Sequence, residues 1–360
     1  MRFWTRRRHV LTRNRTLSSI ALFACLAAAS MVHAQDGGAV TGPQATEVAP
    51  SRFGGRDADP AYGAYQRGLY ITALRLALPR AEEGDKAAQA LAAEIYARGL
   101  GVPRDREQAA KWYEAAAEQG VAEAQFQTAL LLLDGNILPR DPERGFELMK
   151  VAADAGNPMA QFNLGQLLLE QAGSEAEEAA ATIYFEQAAT AGLADAQYAL
   201  GVILAQGSEP DFDNARAWLL RAAQQNYDTA QVELGSWLVE GIGGPRDMET
   251  GFNWIRLAAT SGNVAARNRL AKLYWTGIGV EGDRIAAAAW YMLARQGGLV
   301  DPVMEDFLVG LSEEQIEAAR TRMAELEQAG AGAAALEQPG ESGAATEAED
   351  EVPGDEPPSD

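Results

Sequence analysis

The stretch RGLGVPRDREQAAKWYEAAAEQG, residues 98–120, decides the fold because its pattern recurs along the chain. A G-x-G turn begins at Gly99, Asp105 follows it, Trp112 opens an aromatic pair and Gly120 closes the stretch. A glycine loop that binds a nucleotide phosphate needs a preceding strand and a following helix. Here the turn follows residues with the three-and-four apolar spacing of an amphipathic helix. We therefore interpret the glycines as the end of one helix and the aspartate as the start of the next.

The closing glycine recurs at intervals of 36 residues, with one interval of 34. Six units fill residues 84–297, and the apolar positions within each unit step by three and four, which predicts two amphipathic helices per unit. The sequence therefore predicts an all-α fold, a right-handed α/α solenoid of about six 36-residue helical-hairpin repeats with a C-terminal capping helix at Leu311–Glu327. The units begin at Gly84, Gly120, Gly156, Gly192, Asn226 and Gly262, and Gly298 closes the last one.

Fixed positions within the unit predict how the helices pack and where they end. Small residues of the first helix let the paired helices approach closely, and a large residue of the second helix is expected to fill the seam. The small residues are Ala93, Ala129, Gly165, Gly201, Gly235 and Ala271, and the large ones are Trp112, Leu148, Tyr184, Trp218, Trp254 and Trp290. Left-handed glycines are expected at Gly99, Gly135, Gly207, Gly241 and Gly277. N-caps are expected at Asp105, Asp141, Asp247, Asp283 and, with Gln315 as its partner, Ser312.

This pattern resembles the Sel-one-like repeat (SLR) family, a relative of the tetratricopeptide repeats with a G-x-G-V-x-x-D connector. The resemblance covers residues 84–297 and is carried by the connectors that begin at Gly99, Gly241 and Gly277. Units 3 and 4 depart from it, because EQAGSEAEEA and AQGSEPDFDNA replace the connector and add acidic residues. The resemblance implies an adaptor that binds a protein or peptide partner on the concave surface of the solenoid.

The first 34 residues have the features of a signal peptide. A basic region precedes a mostly apolar stretch at Leu17–Ser30, and Ala34 ends a cleavage motif. The expected location is the periplasm, while secretion, a lipid anchor at Cys25 and twin-arginine export remain alternatives. No apolar stretch has the roughly 20 residues that a membrane span needs. The other predicted segments are a flexible linker (35–59), a degenerate hairpin (60–83), a capping region (298–327) and a disordered acidic tail (328–360).

Cleavage after Ala34 would remove every cysteine and histidine, since His9, Cys25 and His33 all precede it. The mature chain would then lack thiol nucleophiles, histidine bases and the nitrogen and sulfur ligands of zinc. We therefore expect no catalytic residue, no metal site and no cofactor. A carbohydrate- or peptidoglycan-binding module, or an envelope enzyme that uses carboxylates, is the alternative interpretation.

Charge favours a basic partner and argues against nucleic acid. The whole chain has a net charge of −21; without the six arginines of residues 1–34, 24 basic residues remain against 51 acidic ones, a net charge of −27. Such a chain repels phosphate backbones. Residues 151–215, the acidic segment, contain ten acidic residues and no lysine or arginine. A solvated surface is the ordinary reason for such a segment, and attraction of a partner with a basic segment is its functional consequence.

Two groups of residues are candidates for partner binding. Aromatic residues share the sixth position of three consecutive units and are expected either to line the groove or to be buried. The second group begins where Arg267 replaces the glutamine of the other units, and it is the one basic and aromatic cluster in the repeats. The candidates are Phe126, Phe162, Tyr198, Arg267, Arg269, Lys272 and Trp275.

Overall fold

A computed structural model describes residues 59–207 and 209–337, with side chains described up to residue 329. The predicted signal peptide (1–34), residues 35–58 of the predicted linker and residues 338–360 of the predicted tail lie outside this part. Within it the chain forms 16 α-helices and no strand. The helices are α1 Pro60–Gln66, α2 Tyr70–Glu82, α3 Lys86–Arg98, α4 Arg106–Glu118, α5 Ala122–Asp134, α6 Pro142–Asp154, α7 Pro158–Gln171, α8 Glu175–Thr190, α9 Ala194–Gln206, α10 Phe212–Gln224, α11 Asp228–Glu240, α12 Met248–Thr260, α13 Val264–Thr276, α14 Arg284–Gln296, α15 Pro302–Val309 and α16 Glu313–Glu337.

The predicted α/α solenoid is confirmed. Units 1 to 6 are the helix pairs α3/α4, α5/α6, α7/α8, α9/α10, α11/α12 and α13/α14, and each helix packs on the helix before it and the helix after it. The hairpin α1/α2 precedes the array, and α16 packs against α14 at its end. The residues that join one unit to the next have positive φ, and at one of these positions, Asn226 (φ 63°), a residue other than glycine adopts it.

The predicted helix starts are confirmed by side-chain caps. Asp105 accepts a hydrogen bond from the backbone N–H of Gln108 (2.8 Å), and Asp247 accepts one from Thr250 (3.0 Å). Asp141 and Asp283 cap α6 and α14 in the same way. At α16 the Ser312 hydroxyl accepts from the N–H of Gln315 while Gln315 accepts from the N–H of Ser312, a reciprocal capping box.

Units 3 and 4 form the same hairpin with different connectors. In unit 3, Ser174 caps α8 and the Glu177 carboxylate accepts from the N–H of Gly173 (2.7 Å). In unit 4, Asp211 caps α10 by accepting from the N–H of Asn214. The expectation for Gly207 was wrong: its φ is −58°, because this connector leaves the helix in an extended conformation rather than through a left-handed residue.

The repeated glutamine closes the joint between successive units. The side-chain amide of Gln89 donates to the carbonyl of Ala81, eight residues earlier, and so satisfies the free C-terminal end of the preceding helix (3.1 Å). The same bond recurs at Gln125, Gln161, Gln197 and Gln231. These side chains are buried, so the position is structural.

The residue that fills the seam lies one position after the predicted one. Trp112 and Trp290 are buried, but Leu148, Tyr184, Trp218 and Trp254 are half-buried. The fully packed row is Tyr113, Met149, Phe185, Leu219, Ile255 and Tyr291, none more than 4% exposed. Successive residues point about 100° apart around a helix. The next residue therefore points at the small residue of the first helix, as Phe185 does at Gly165 and Ile255 at Gly235.

The capping helix is longer than predicted. Residues 328–337 belong to α16, which runs to Glu337, although the sequence predicts disorder from residue 328. Five of these ten residues are alanine, the strongest helix former, and this propensity outweighs the two glycines.

Candidate functional site

The predicted aromatic candidates belong to the hydrophobic core. Phe126 and Phe162 are buried, and Phe162 packs edge-on against Phe185 with 5.7 Å between ring centroids. Tyr198 is half-buried and its ring lies 5.2 Å from that of Tyr227. Of the two alternatives for these rings, burial therefore holds for Phe126 and Phe162, and they do not line an exposed groove.

The basic candidates are held by contacts within the solenoid. Arg267 donates from Nε to the carbonyl of Ala259 (3.3 Å), eight residues earlier, and so makes the bond that the glutamine makes in the other units. Arg269 forms an ion pair with Glu240 of the preceding unit, with 3.4 Å between Nη2 and Oε1. The basic cluster predicted for partner binding therefore joins neighbouring parts of the array.

Lys272 joins unit 6 to the C-terminal cap. Its ammonium group pairs with Asp301, which also accepts from the amide of Asn268 (2.9 Å). Burial disfavours the charged carboxylate of Asp301, but the hydrogen bonds from Lys272 and Asn268 outweigh burial and lower its pKa. Beside this pair, the buried Tyr291 hydroxyl donates to Glu305 (2.6 Å). These bonds fix α15 against the last unit.

Trp275 is partly exposed beside the C-terminal cap. Its ring lies 5.1 Å from that of Phe307 in α15, and the residue is 40% exposed. The ring is therefore partly accessible and is covered on one side by the cap, and its role in partner binding stays a prediction.

The structure brings together a groove that sequence reasoning missed. It lies at the joints between units 1 to 4, where the first helices begin, and has a volume of about 850 Å³. Its apolar lining includes Val121, Met159 and Leu193, and Met159 is exposed. Asn157 spans the groove wall by donating to the Glu123 carboxylate (3.0 Å). We call this feature the edge groove. A methionine three residues after a unit-joining glycine was its one visible signal in the sequence.

Acidic residues of the acidic segment flank the edge groove. Asp154 directly precedes the lining residues that begin at Ala155, and Asp195 follows Leu193 by two positions. Asp154 and the exposed Glu170 also occupy the last turns of α6 and α7, where no basic side chain is present. The negative end of a helix dipole disfavours anions by about 0.3–1 kcal/mol. The helix ends therefore gain nothing from these two charges, although the Asp154 carboxylate also accepts a hydrogen bond from the Tyr184 hydroxyl (3.3 Å).

Residues 59–207 and 209–337 contain no group of three or more His, Cys, Asp or Glu side chains placed to hold a metal ion. No helix in this part of the chain combines the length and the apolar character that crossing a membrane requires. The acidic DFDN stretch at 211–214 serves as a helix cap, with Asp211 also accepting from the Asn214 side chain.

Comparisons with known proteins agree with this architecture. The model of the Sel1 repeat matches six times, at residues 86–121, 122–157, 158–193, 194–227, 229–263 and 264–299. A protective antigen of uropathogenic Escherichia coli that displays an SLR fold has a similar structure (TM-score 0.64, 24% identity), and the match covers 79% of this chain and 66% of the antigen. A Sel1 repeat protein from Oxalobacter formigenes is 27% identical (TM-score 0.57), with 68% of this chain and 100% of that chain covered. No curated protein sequence matches.

Proposed function

The chain belongs to the Sel1 repeat family, and from that premise we propose that it is a non-catalytic scaffold that binds a protein or peptide partner. Proteins of this family commonly act as protein-interaction scaffolds. A solenoid suits that role, because stacked helices present a long rigid surface and lose little conformational freedom on binding. The concave surface is the partner site that the family resemblance implies, and the edge groove extends the proposed contact to the joints between units.

The proposed partner carries a basic segment that lies over the edge groove. The carrying observation is that eight of the thirteen residues lining the edge groove belong to a segment that has no lysine or arginine, while the rest of the lining includes both Lys86 and Glu123. Asp154 and Glu170 sit where their own helices disfavour negative charge. Lysine or arginine side chains of a partner would offset that cost, and apolar side chains between them would cover Met159.

A site-specific photo-crosslinking experiment tests this placement. A photoreactive residue at Met159 should capture a partner protein from the cell envelope. Ala265 is the matched control, since it occupies the same place in unit 6 and is also exposed. Capture at position 159 and not at 265 supports the proposal. Equal capture at both positions, or binding of peptidoglycan fragments with no protein captured, would refute it.

We also propose that the chain acts in the periplasm after export. The support is the basic and apolar pattern of residues 1–34 with its cleavage motif at Ala34. Cell fractionation with N-terminal sequencing tests this directly. A periplasmic protein that begins at Gln35 is the expected result; an unprocessed cytoplasmic chain would contradict it.

A further inference from the structure

One position in the second helix of each unit packs against the preceding unit. Trp218 of unit 4 packs on the cluster around Phe185, in the second helix of unit 3. Trp254 of unit 5 likewise packs on the cluster around Leu219 of unit 4. The residue at this position is therefore covered by the preceding unit.

At the N-terminal end of the described array this cover is absent. Leu76 of α2 lies 36 residues before Trp112 and so occupies the same position, but no described unit precedes it. It is exposed, as are Leu69 and Ile71, the latter to 65%. We call these three residues and the exposed Arg75 the N-terminal face.

At the C-terminal end of the described residues, part of the apolar surface is likewise left exposed beside α16. Val309 of α15 is 85% exposed, whereas Leu273, at the same position one unit earlier, is buried. Val300 and Val303 are exposed beside it. The terminal units of repeat proteins ordinarily present a polar outer surface. We call Val300, Val303 and Val309 the C-terminal face.

The two ends have opposite charge. Residues 60–83 contain three arginines and two acidic residues, a net charge of +1, whereas residues 298–329 contain eight acidic residues and two arginines, a net charge of −6. Arg80 is paired with Asp59 and Asp85, but Arg67 and Arg75 are exposed. Asp306, Glu313 and Glu314 are exposed at the other end. The ends are therefore complementary in charge and alike in their apolar character.

We infer that the C-terminal face of one molecule docks on the N-terminal face of a second copy. The second copy supplies the unit that each end lacks, so that the array continues from chain to chain. Such a contact joins two different surfaces, is heterologous, and extends into a string rather than closing as a symmetric dimer. This inference does not depend on the proposed partner or on export.

Sedimentation velocity of the purified chain tests the docking, because a heterologous contact has a distinctive complementation pattern. The average mass should rise with concentration beyond that of a dimer. The double variant Ile71→Glu with Arg75→Glu makes the N-terminal face acidic, so that it repels the acidic C-terminal face of a second copy. The double variant Val303→Lys with Val309→Lys makes the C-terminal face basic, so that it repels the N-terminal face. Each double variant should be monomeric, because one of its two faces is lost.

An equal mixture of the two double variants should regain association, whereas each variant alone stays monomeric. Each variant keeps one intact face, and the two intact faces are complementary. All four substitutions fall on exposed side chains, and circular dichroism checks that each variant folds. Salt of about 1 M, where the Debye length is about 3 Å, should shift the wild-type chain toward monomer.

Three results would overturn the inference. The first is a wild-type chain that stays monomeric at every concentration, which would mean that other parts of the same chain cover the ends. The second is a mixture of variants that remains monomeric. The third is association that survives in either double variant, which would indicate a symmetric contact elsewhere on the surface.

Discussion

Units 5 and 3 form the same helical hairpin with different connectors. Unit 5 ends its first helix at Gly241 in the left-handed conformation and caps its second helix with Asp247. Unit 3 uses the short connector at residues 172–174 and a Ser174 cap, and its second helix has 16 residues instead of 13. The buried seam is nevertheless the same in both. The comparison teaches that the seam specifies the hairpin, while the connector is free to vary and to carry charge.

Truncation of the seam should cost the same in a regular unit and in an irregular one. Ile255→Ala in unit 5 and Leu219→Ala in unit 4 each remove a fully buried side chain and should destabilise the protein by about 2–5 kcal/mol. Trp218→Ala, one position earlier, should cost less, about 1–3 kcal/mol, because the ring is half-buried. Urea denaturation measures all three. A larger loss for Trp218 than for Leu219 would restore the sequence-based assignment of the seam.

A methyl group added where the two helices of a unit cross should destabilise the protein more in unit 5 than in unit 4. A Cβ at Gly235 would lie 2.6 Å from Ile255 Cγ1 and 2.8 Å from the Gly251 carbonyl, so Gly235→Ala should destabilise by about 1–3 kcal/mol. At Gly201 of unit 4 the nearest atoms are 3.1 Å away. There the gain in helix propensity, about 0.5–1 kcal/mol, should offset most of the crowding. Equal losses at Gly235 and Gly201 would show that both crossings are equally tight.

Alanine in the connectors should have opposite effects in units 5 and 4. Gly241 has φ 75°, where a Cβ is disfavoured by about 1–2 kcal/mol, so Gly241→Ala should destabilise. Gly207 has φ −58°, and a Cβ there would meet only the Ile203 carbonyl at 3.6 Å, an ordinary van der Waals contact, so Gly207→Ala should stabilise by about 0.4–1 kcal/mol through the unfolded chain. Thermal denaturation of the two variants gives the signs. A loss at Gly207 as large as at Gly241 would contradict the extended geometry of that connector.

The smallest expected effect is on the free energy of unfolding at acidic pH. Hydrogen bonds from the backbone and side chain of Thr250 lower the pKa of Asp247 below the unfolded value of about 3.9. The stabilisation is therefore present above that value and is lost as the pH falls through the folded pKa. Asn also caps helices well, so Asp247→Asn should leave the stability at neutral pH nearly unchanged. Because the amide does not titrate, the loss of stability at low pH should be smaller in this variant. The Ser174 hydroxyl, which caps the corresponding helix of unit 3, does not titrate and should give no such pH dependence. If the free energy of unfolding of Asp247→Asn falls with acid as steeply as that of the wild-type chain, the pH dependence comes from other groups.

The fold could be predicted from the sequence because its signals are local and repeat. The spacing of Gly84 to Gly298 and the caps at Asp105 and Asp247 depend on neighbouring residues alone, and the structure confirms them. The register of the seam could not be predicted as well. Trp218 is the larger residue and therefore the more visible one in the sequence. Leu219 is nevertheless the residue that is fully buried, because its side chain points toward the facing helix.

The candidate site was harder to predict because contacts between units are invisible in a linear pattern. No partner of Arg267 or Lys272 can be recognised from the sequence. In the structure, Arg267 contacts the carbonyl of Ala259 and Lys272 pairs with the carboxylate of Asp301. The edge groove is formed by the joints of successive units, so no single unit contains it. The acidic segment could be recognised from composition, yet its place around Met159 required the fold.

The affinity of the captured partner for matched charge variants tests the central claim most directly. Asp154→Asn with Asp195→Asn removes two charges beside the edge groove, and the control, Glu249→Gln with Glu281→Gln, removes two exposed charges from units 5 and 6. The groove pair should weaken binding about tenfold or more, equivalent to about 1.4 kcal/mol, and the control should bind like the wild-type chain. Equal affinities for the two double variants would contradict the claim that the acidic segment, residues 151–215, holds the partner.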